Sequence, residues 1–149
     1  MELYEKIQKE NKRIIREFSR WLKEKGLGEK TIRSHTSNAE LFVNEYLATY
    51  DELRPHEATD VDIENFLGTW VPRKCLFASK SYISEVCAGL KKFYKFMKEQ
   101  GKMDDISEIT DALKKKGYYQ GRLEKYDSLD PESENWEEDW EKWFLENDD

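Results

Sequence analysis

A chain of 149 residues, with 38% charged and 38% apolar side chains and a mean hydropathy of -0.95, is long enough to bury roughly two-thirds of its unfolded surface in one domain. Aromatics at 13% exclude a disordered chain, no run of about 18 apolar residues offers a membrane span, and the N-terminus carries no apolar signal segment. The net charge of -7 conceals a division: residues 127–149 hold eleven acids against Lys142 alone, whereas the 126 residues before them hold 24 bases and 21 acids.

The spacing of apolar residues predicts helices throughout. A first helix over 3–25 places Leu3, Ile7, Ile14, Ile15, Phe18, Trp21 and Leu22 on one face and ends at Gly26 and Gly28. A second starts near Lys30 or Thr31, turns Ile32, His35, Ala39, Phe42, Val43 and Tyr46 inward, and stops before Pro55. A third is capped by Thr59 or Asp60, buries Ile63, Phe66, Leu67 and Trp70, and breaks near Pro72. The fourth, over 79–100, is capped by Ser79 or Ser81 and closed by Gly101, with Ile83, Val86, Cys87, Leu90, Phe93, Tyr94 and Met97 inward. A short fifth helix over 106–116 buries Ile106, Ile109 and Leu113. Residues 127–135 read as a linker, before a last amphipathic helix with Trp136, Trp140, Trp143 and Phe144 in one stripe. The expected fold is thus an all-α, compact bundle of four to five helices over 1–116. Residues 117–149 follow as a linker and an acidic, Trp-rich C-terminal helix.

Little in the chain points to catalysis. There is no phosphate-binding glycine loop and no nucleophile elbow. Cys75 and Cys87 form no Cys-x-x-Cys pair, so they read as buried, reduced thiols of a cytoplasmic protein, with no metal site. His35 falls on the apolar side of the second helix and reads as a core or boundary histidine, not a ligand or base; His56 has no ligand neighbour at useful spacing. Asp60, Asp62, Asp104 and Asp105 sit at predicted helix starts, where the helix dipole accounts for them. No cofactor, small-molecule substrate or enzymatic activity is expected.

Basic residues carry more information. Lys6, Lys9, Arg13, Arg16, Arg20 and Lys23 form a stripe on the first helix, diluted by Glu2, Glu5, Glu17 and Glu24, which reads as a solvated face. The second helix offers Lys30, Arg33, Ser34 and Ser37 near its start. The fourth and its lead-in offer Arg73, Lys74, Lys80, Ser81, Ser84, Lys91, Lys92, Lys95 and Lys98. Small hydroxyls with Lys or Arg at a helix start suit contacts to phosphates and base edges.

Three blocks then resemble a known family. Leu27-Gly28-Glu29-Lys30-Thr31-Ile32-Arg33-Ser34-His35 is similar to the Leu-Ser-x-x-Thr-Ile-x-x-Tyr helix opening of the phage integrase, or tyrosine recombinase, family, in its SAM-like core-binding domain. Thr59-Asp60-Val61-Asp62-Ile63-Glu64-Asn65-Phe66-Leu67 resembles the next element, Leu-Thr-x-x-Asp-Ile-x-x-Phe-Leu. The run from Ser81 through Gly89, Leu90, Phe93 and Tyr94 to Met97 resembles the following helix, Ser-Thr-Ile-x-x-x-Leu-Ser-Ala-Leu-x-x-Phe-Tyr-x-Phe-Leu. The resemblance covers about residues 3–103.

It implies a helical bundle that clamps one side of duplex DNA, with the helices matching 31–46 and 81–97 toward the major groove. Carried over by position, the DNA-facing residues are Lys30, Arg33, Ser34 and Ser37, then Lys80, Ser81, Tyr82, Ser84 and Glu85; Lys91 and Lys95 add phosphate contacts. Glu85 departs from the basic or amide residue common at its position, and the segment from Trp70 to Ala78 is unusually apolar. The family's catalytic domain has no counterpart, so Tyr118, Tyr119 and Tyr126 are not expected to cleave DNA. With Met first and an acidic run last, the chain is expected to be complete.

Two functions follow as expectations. One is a non-catalytic DNA-binding protein, accessory or regulatory in recombination or integration. The other is a protein-interaction module using the bundle and the aromatic helix, with Trp136, Trp140, Trp143 and Phe144 as docking residues for a protein partner or for the body itself. If the tail folds back, seating Trp136, Trp140 and Phe144, its carboxylates either compete with DNA for the basic surface or simply lie in solvent over a completed core.

Overall fold

The computed structural model describes residues 1–147. It is all-helical: α1 (Leu3–Glu24), α2 (Glu29–Glu40), α3 (Asp60–Asn65), α4 (Val71–Lys74), α5 (Lys80–Glu99), α6 (Ser107–Leu113), α7 (Lys116–Asp127) and α8 (Trp136–Glu146). No helix among the described residues is long and apolar enough to cross a membrane. Asp148 and Asp149, the last acids of the tail, lie outside the described residues.

Helix ends follow local chemistry. Ser79 Oγ accepts the Tyr82 N–H at 3.1 Å and caps α5, as its sequence predicts. Thr59 N–H is taken by the Asp62 carboxylate at 2.8 Å, and Ser107 N–H by Asp105 at 2.9 Å, so both carboxylates serve helix starts. Gly26 and Gly101 adopt φ +87° and +72°, the left-handed step that lets Leu27 N–H reach Leu22 O and Lys102 N–H reach Met97 O.

Two helices continue where the sequence suggests a simpler course. Beyond α2 the chain runs on as a wide, π-type helix over Leu41–Asp51. Side chains of α1 bind its backbone: Asn11 Nδ2 donates to Val43 O at 3.3 Å and Gln8 Nε2 to Asn44 O at 3.5 Å. Beyond α3 a similar wide segment, Phe66–Trp70, leads into α4, so the helical path passes Pro72 instead of breaking there. Pro72 has no N–H to give the Gly68 carbonyl four residues earlier. Arg122 Nε supplies that hydrogen bond from α7, at 3.0 Å.

The core is aromatic. Phe18, Phe93 and Phe96 meet with Trp21 at one end, Phe18 lying edge-on to Phe93 at 5.2 Å. Phe42, Tyr46, Phe66 and Tyr94 fill the other, and Tyr94 Oη donates to Pro55 O at 2.9 Å. Phe18, Leu22, Phe66, Leu90 and Phe93 are fully buried, as their periodicity predicts; Ile32 lies at the edge of the same core, and Leu3 is exposed.

The body also extends further than its apolar pattern indicates. α6 is shorter than expected, and residues 117–126, which carry no clear stripe, belong to α7. α7 buries Tyr119, Arg122 and Leu123 against α4, α5 and the Phe66–Trp70 segment. Only two of those three are apolar, so a hydrophobic stripe could not reveal it.

α2 packs against α1 on one side and α5 on the other. At the α2–α5 crossing, Gly89 lies so close that a Cβ there would sit 3.3 Å from His35 Cα and 3.4 Å from Asn38 Cβ. Gly89→Val is expected to force the two helices apart and cost about 1–3 kcal/mol, read as a lower urea midpoint. An unchanged midpoint would show that the crossing has slack.

Candidate functional site

The close crossing at Gly89 leaves the outer faces of α2 and α5 side by side. On α2, Lys30, Arg33 and Ser37 are exposed; Ser34 is half-buried and accepts from Asn38 Nδ2 at 3.5 Å. On α5, Ser81, Lys91 and Lys95 are exposed. Lys30, Arg33, Lys91 and Lys95 form no ion pair among the described residues. Lys92, half-buried beside His35, adds a further cation at the seam.

Three of the expected DNA-facing residues are committed elsewhere. Lys80 pairs with Glu124 of α7, and Ser84 Oγ accepts from Gln120 Nε2 at 3.1 Å. Both therefore lie on the flank of α5 that α7 covers. Tyr82 is half-buried, edge-on to Phe77 at 6.1 Å and hydrogen-bonded to Cys75; burial pushes its hydroxyl up to about 12. Their helical spacing places them on α5, but only the position of α7 decides which side of it is free.

A feature missed in the sequence lies on the other side of α2. Arg16, Arg20 and Lys23 of α1 line one groove with Arg33, over a floor that includes Leu27 and Ile32. Arg13, on the same charged stripe, is compensated by Glu17 at 3.3 Å. The stripe's spacing was legible; its junction with Arg33 depends on how α1 packs on α2.

The apolar run from Trp70 to Ala78, which includes α4 and leads into α5, divides in two. Val71, Pro72 and Cys75 are buried, whereas Leu76 and Phe77 are 97% and 79% exposed. Cys75 and Cys87 are free thiols; burial pushes Cys87 up to about 11. The three C-terminal tyrosines are in structural contacts: Tyr119 Oη donates to Ala112 O at 2.7 Å, Tyr118 Oη to Asn147 Oδ1 at 3.2 Å, and Tyr126 packs on Trp143.

The C-terminal helix folds back, but not as its stripe suggests. Trp143, not Trp136, Trp140 or Phe144, is the buried anchor. Its ring lies under the Arg122 guanidinium at 4.0 Å, and its Nε1 donates to Arg122 O at 3.0 Å. Arg122 Nη1 returns a hydrogen bond to Trp143 O. Trp140 and Phe144 stack on each other at 5.2 Å with Arg73 beside both, and Trp136 stays half-exposed. Asn147 Nδ2 donates to Thr69 Oγ1 at 2.7 Å, its side chain filling the space that a Cβ at Gly68 would need. α8 thus sits on α7 and on the continuous α3–α4 helix. Among the described residues, its one ion pair to the body joins Glu146 to Lys125, and none of its acids pairs with Lys30, Arg33, Lys91 or Lys95. The geometry is that of core completion.

No protein-family model, curated protein or solved structure matches this chain.

Two predictions follow from this geometry. Trp143→Ala removes a buried ring and the indole N–H that Arg122 O accepts in addition to its helical bond, so a loss of about 3–5 kcal/mol is expected by chemical denaturation; a loss near zero would make α8 an appendage. His35 is held below the ordinary histidine value, chiefly by burial and then by the Lys92 charge. The unfolded chain therefore binds the proton more readily, and stability falls as pH drops below about 6.5. His35→Gln should lose part of the stability difference measured between pH 7 and pH 5; an identical difference would refute the assignment.

Proposed function

We propose that this chain is a non-catalytic DNA-binding protein of the cytoplasm, built like the core-binding domain of tyrosine recombinases and accessory or regulatory in DNA recombination or integration. The observation that carries the reading is the close crossing of α2 and α5 at Gly89, two helices on which Lys30, Arg33, Lys91 and Lys95 are exposed and form no ion pair among the described residues. α2 and α5 carry the segments that the resemblance assigns to the DNA-facing side. Cations without carboxylate partners retain their full field toward a phosphate backbone. Ser37 and Ser81 are exposed on the same two helices and would supply hydroxyls for phosphate or base edges. Among the described residues the acidic tail docks on α7 and the α3–α4 helix and pairs with none of these cations, so the overall charge of -7 does not describe their surroundings.

A second reading, a protein-interaction module, is favoured by Leu76 and Phe77, whose near-complete exposure suits an apolar partner. Within that reading the aromatic helix contributes only Trp136, Trp140 and Phe144, because Trp143 is consumed by Arg122.

The test is a titration of duplex DNA at several salt concentrations. Neutralising a phosphate contact should reduce the slope of log affinity against log salt by about 0.9 in magnitude. Lys30→Ala combined with Lys95→Ala is expected to flatten it by about 1.8, whereas Lys80→Ala, already paired with Glu124, should change it less. An unaltered slope in the double variant would reject the α2–α5 face as the DNA surface.

A further inference from the structure

The groove between α1 and α2 carries a concentration of charge that the α2–α5 face does not explain. Arg16, Arg20 and Lys23 descend one side of α1 at spacings of four and three, so successive side chains overhang the same groove. Arg33 faces them from α2, and Ser19 adds a hydroxyl. Glu29 is the only acid lining the groove, and none of the four cations forms an ion pair among the described residues.

Several cations elsewhere on this molecule are compensated: Arg13 by Glu17, Lys25 by Glu99, Arg54 by Glu10, and Lys115 by Glu64. Four cations facing one another across a groove repel, and that repulsion is relieved when an anion lies between them. Guanidinium forks in a row suit an extended anion whose charges repeat, because each fork can take a separate phosphate in bidentate fashion. Leu27 and Ile32 on the floor suit the apolar face of a sugar and offer nothing to a free, fully hydrated ion.

We infer that the α1–α2 groove is a second phosphate track, holding a run of phosphodiester backbone from the same duplex that the α2–α5 face engages. Arg33 lines the groove from α2, the helix that also exposes Lys30 and Ser37, so a backbone crossing α2 passes from one surface to the other. The inference rests on the DNA-binding reading and deepens it: the footprint spans three helices, and affinity rather than sequence choice resides in α1. Contacts of this kind position a duplex without reading its bases.

The experiment uses the full chain and a random-sequence duplex, titrated across a range of salt concentrations. Three double variants are compared: Arg16→Ala with Arg20→Ala in the groove, Lys6→Ala with Lys9→Ala further up α1, and Lys30→Ala with Lys95→Ala on the α2–α5 face. All six positions are exposed, so thermal melting should be alike and reports any variant that misfolds. The groove pair is expected to flatten the salt slope by about 1.8, while the Lys6–Lys9 pair leaves it at the wild-type value. If the groove pair binds like the wild type while the Lys30–Lys95 pair is flattened, the groove is overturned and the DNA reading stands. Equal flattening by the groove pair and the Lys6–Lys9 pair would reduce the effect to net charge and overturn the groove as a site. Failure of the wild-type chain to bind duplex at any salt concentration would overturn both.

Discussion

The approach of α2 to α5 at Gly89 governs both the interior and the surface of this protein. A side chain at that position would meet His35 Cα at 3.3 Å, so the absence of one sets the separation of the two helices. On the inner side, that separation brings Phe42 and Tyr94 into edge contact and closes the aromatic core. The same two helices carry Lys30, Arg33, Lys91 and Lys95 exposed to solvent. The same closeness traps His35 at the seam, with Nδ1 unpartnered and Lys92 nearby, where the neutral ring is the tolerated form. One small residue therefore links core packing, acid sensitivity and the candidate interface.

Arg122 plays the corresponding part at the other end of the molecule. Pro72 leaves the Gly68 carbonyl without its usual helical donor, and the buried guanidinium of Arg122 reaches across to bind it. The same side chain lies over the Trp143 ring and binds the Trp143 carbonyl. A cation buried against an aromatic face and two carbonyls is well solvated by the protein itself. The Phe66–Trp70 segment, α7 and α8 consequently meet at one side chain. This is why the acidic tail behaves as part of the body's packing, not as a screen over its basic surface.

Charge is partitioned by the same arrangement. Ion pairs link Lys80 to Glu124, Lys115 to Glu64 and Lys125 to Glu146, all involving α7 or its immediate lead-in. Such surface pairs add little stability singly, but they cancel the field around α7. Around α2 no comparable pairing occurs among the described residues, and Arg16, Arg20, Lys23, Lys30 and Arg33 keep their charge. A protein of net charge -7 can in this way present a positive face, since a partner within a Debye length of roughly 8 Å feels local rather than total charge.

The sequence alone carries the all-helical class, the ends of α1 and α5 and most of the core, offers Ser79 as one of two caps, and places Asp62 and Asp105 at helix starts. These depend on neighbours three or four residues apart or on one residue's backbone preference, and such information is local. It also displayed the basic residues of α1, α2 and α5 as separate stripes. Only the tertiary structure decided which of them share a surface: α7 takes Lys80 and Ser84 out of the expected interface, and the packing of α1 on α2 adds Arg16, Arg20 and Lys23 beside Arg33. It likewise decided that α7 exists as a core helix, because a buried Arg122 stabilised by Gly68 and Trp143 leaves no apolar signature. Trp143 became the anchor over Trp136, Trp140 and Phe144 for the same reason: all four share a helical stripe, but only Trp143 meets the guanidinium of Arg122. Helical periodicity fixes which residues of one helix face together, while the partner of each face is set by contacts between segments far apart in the chain.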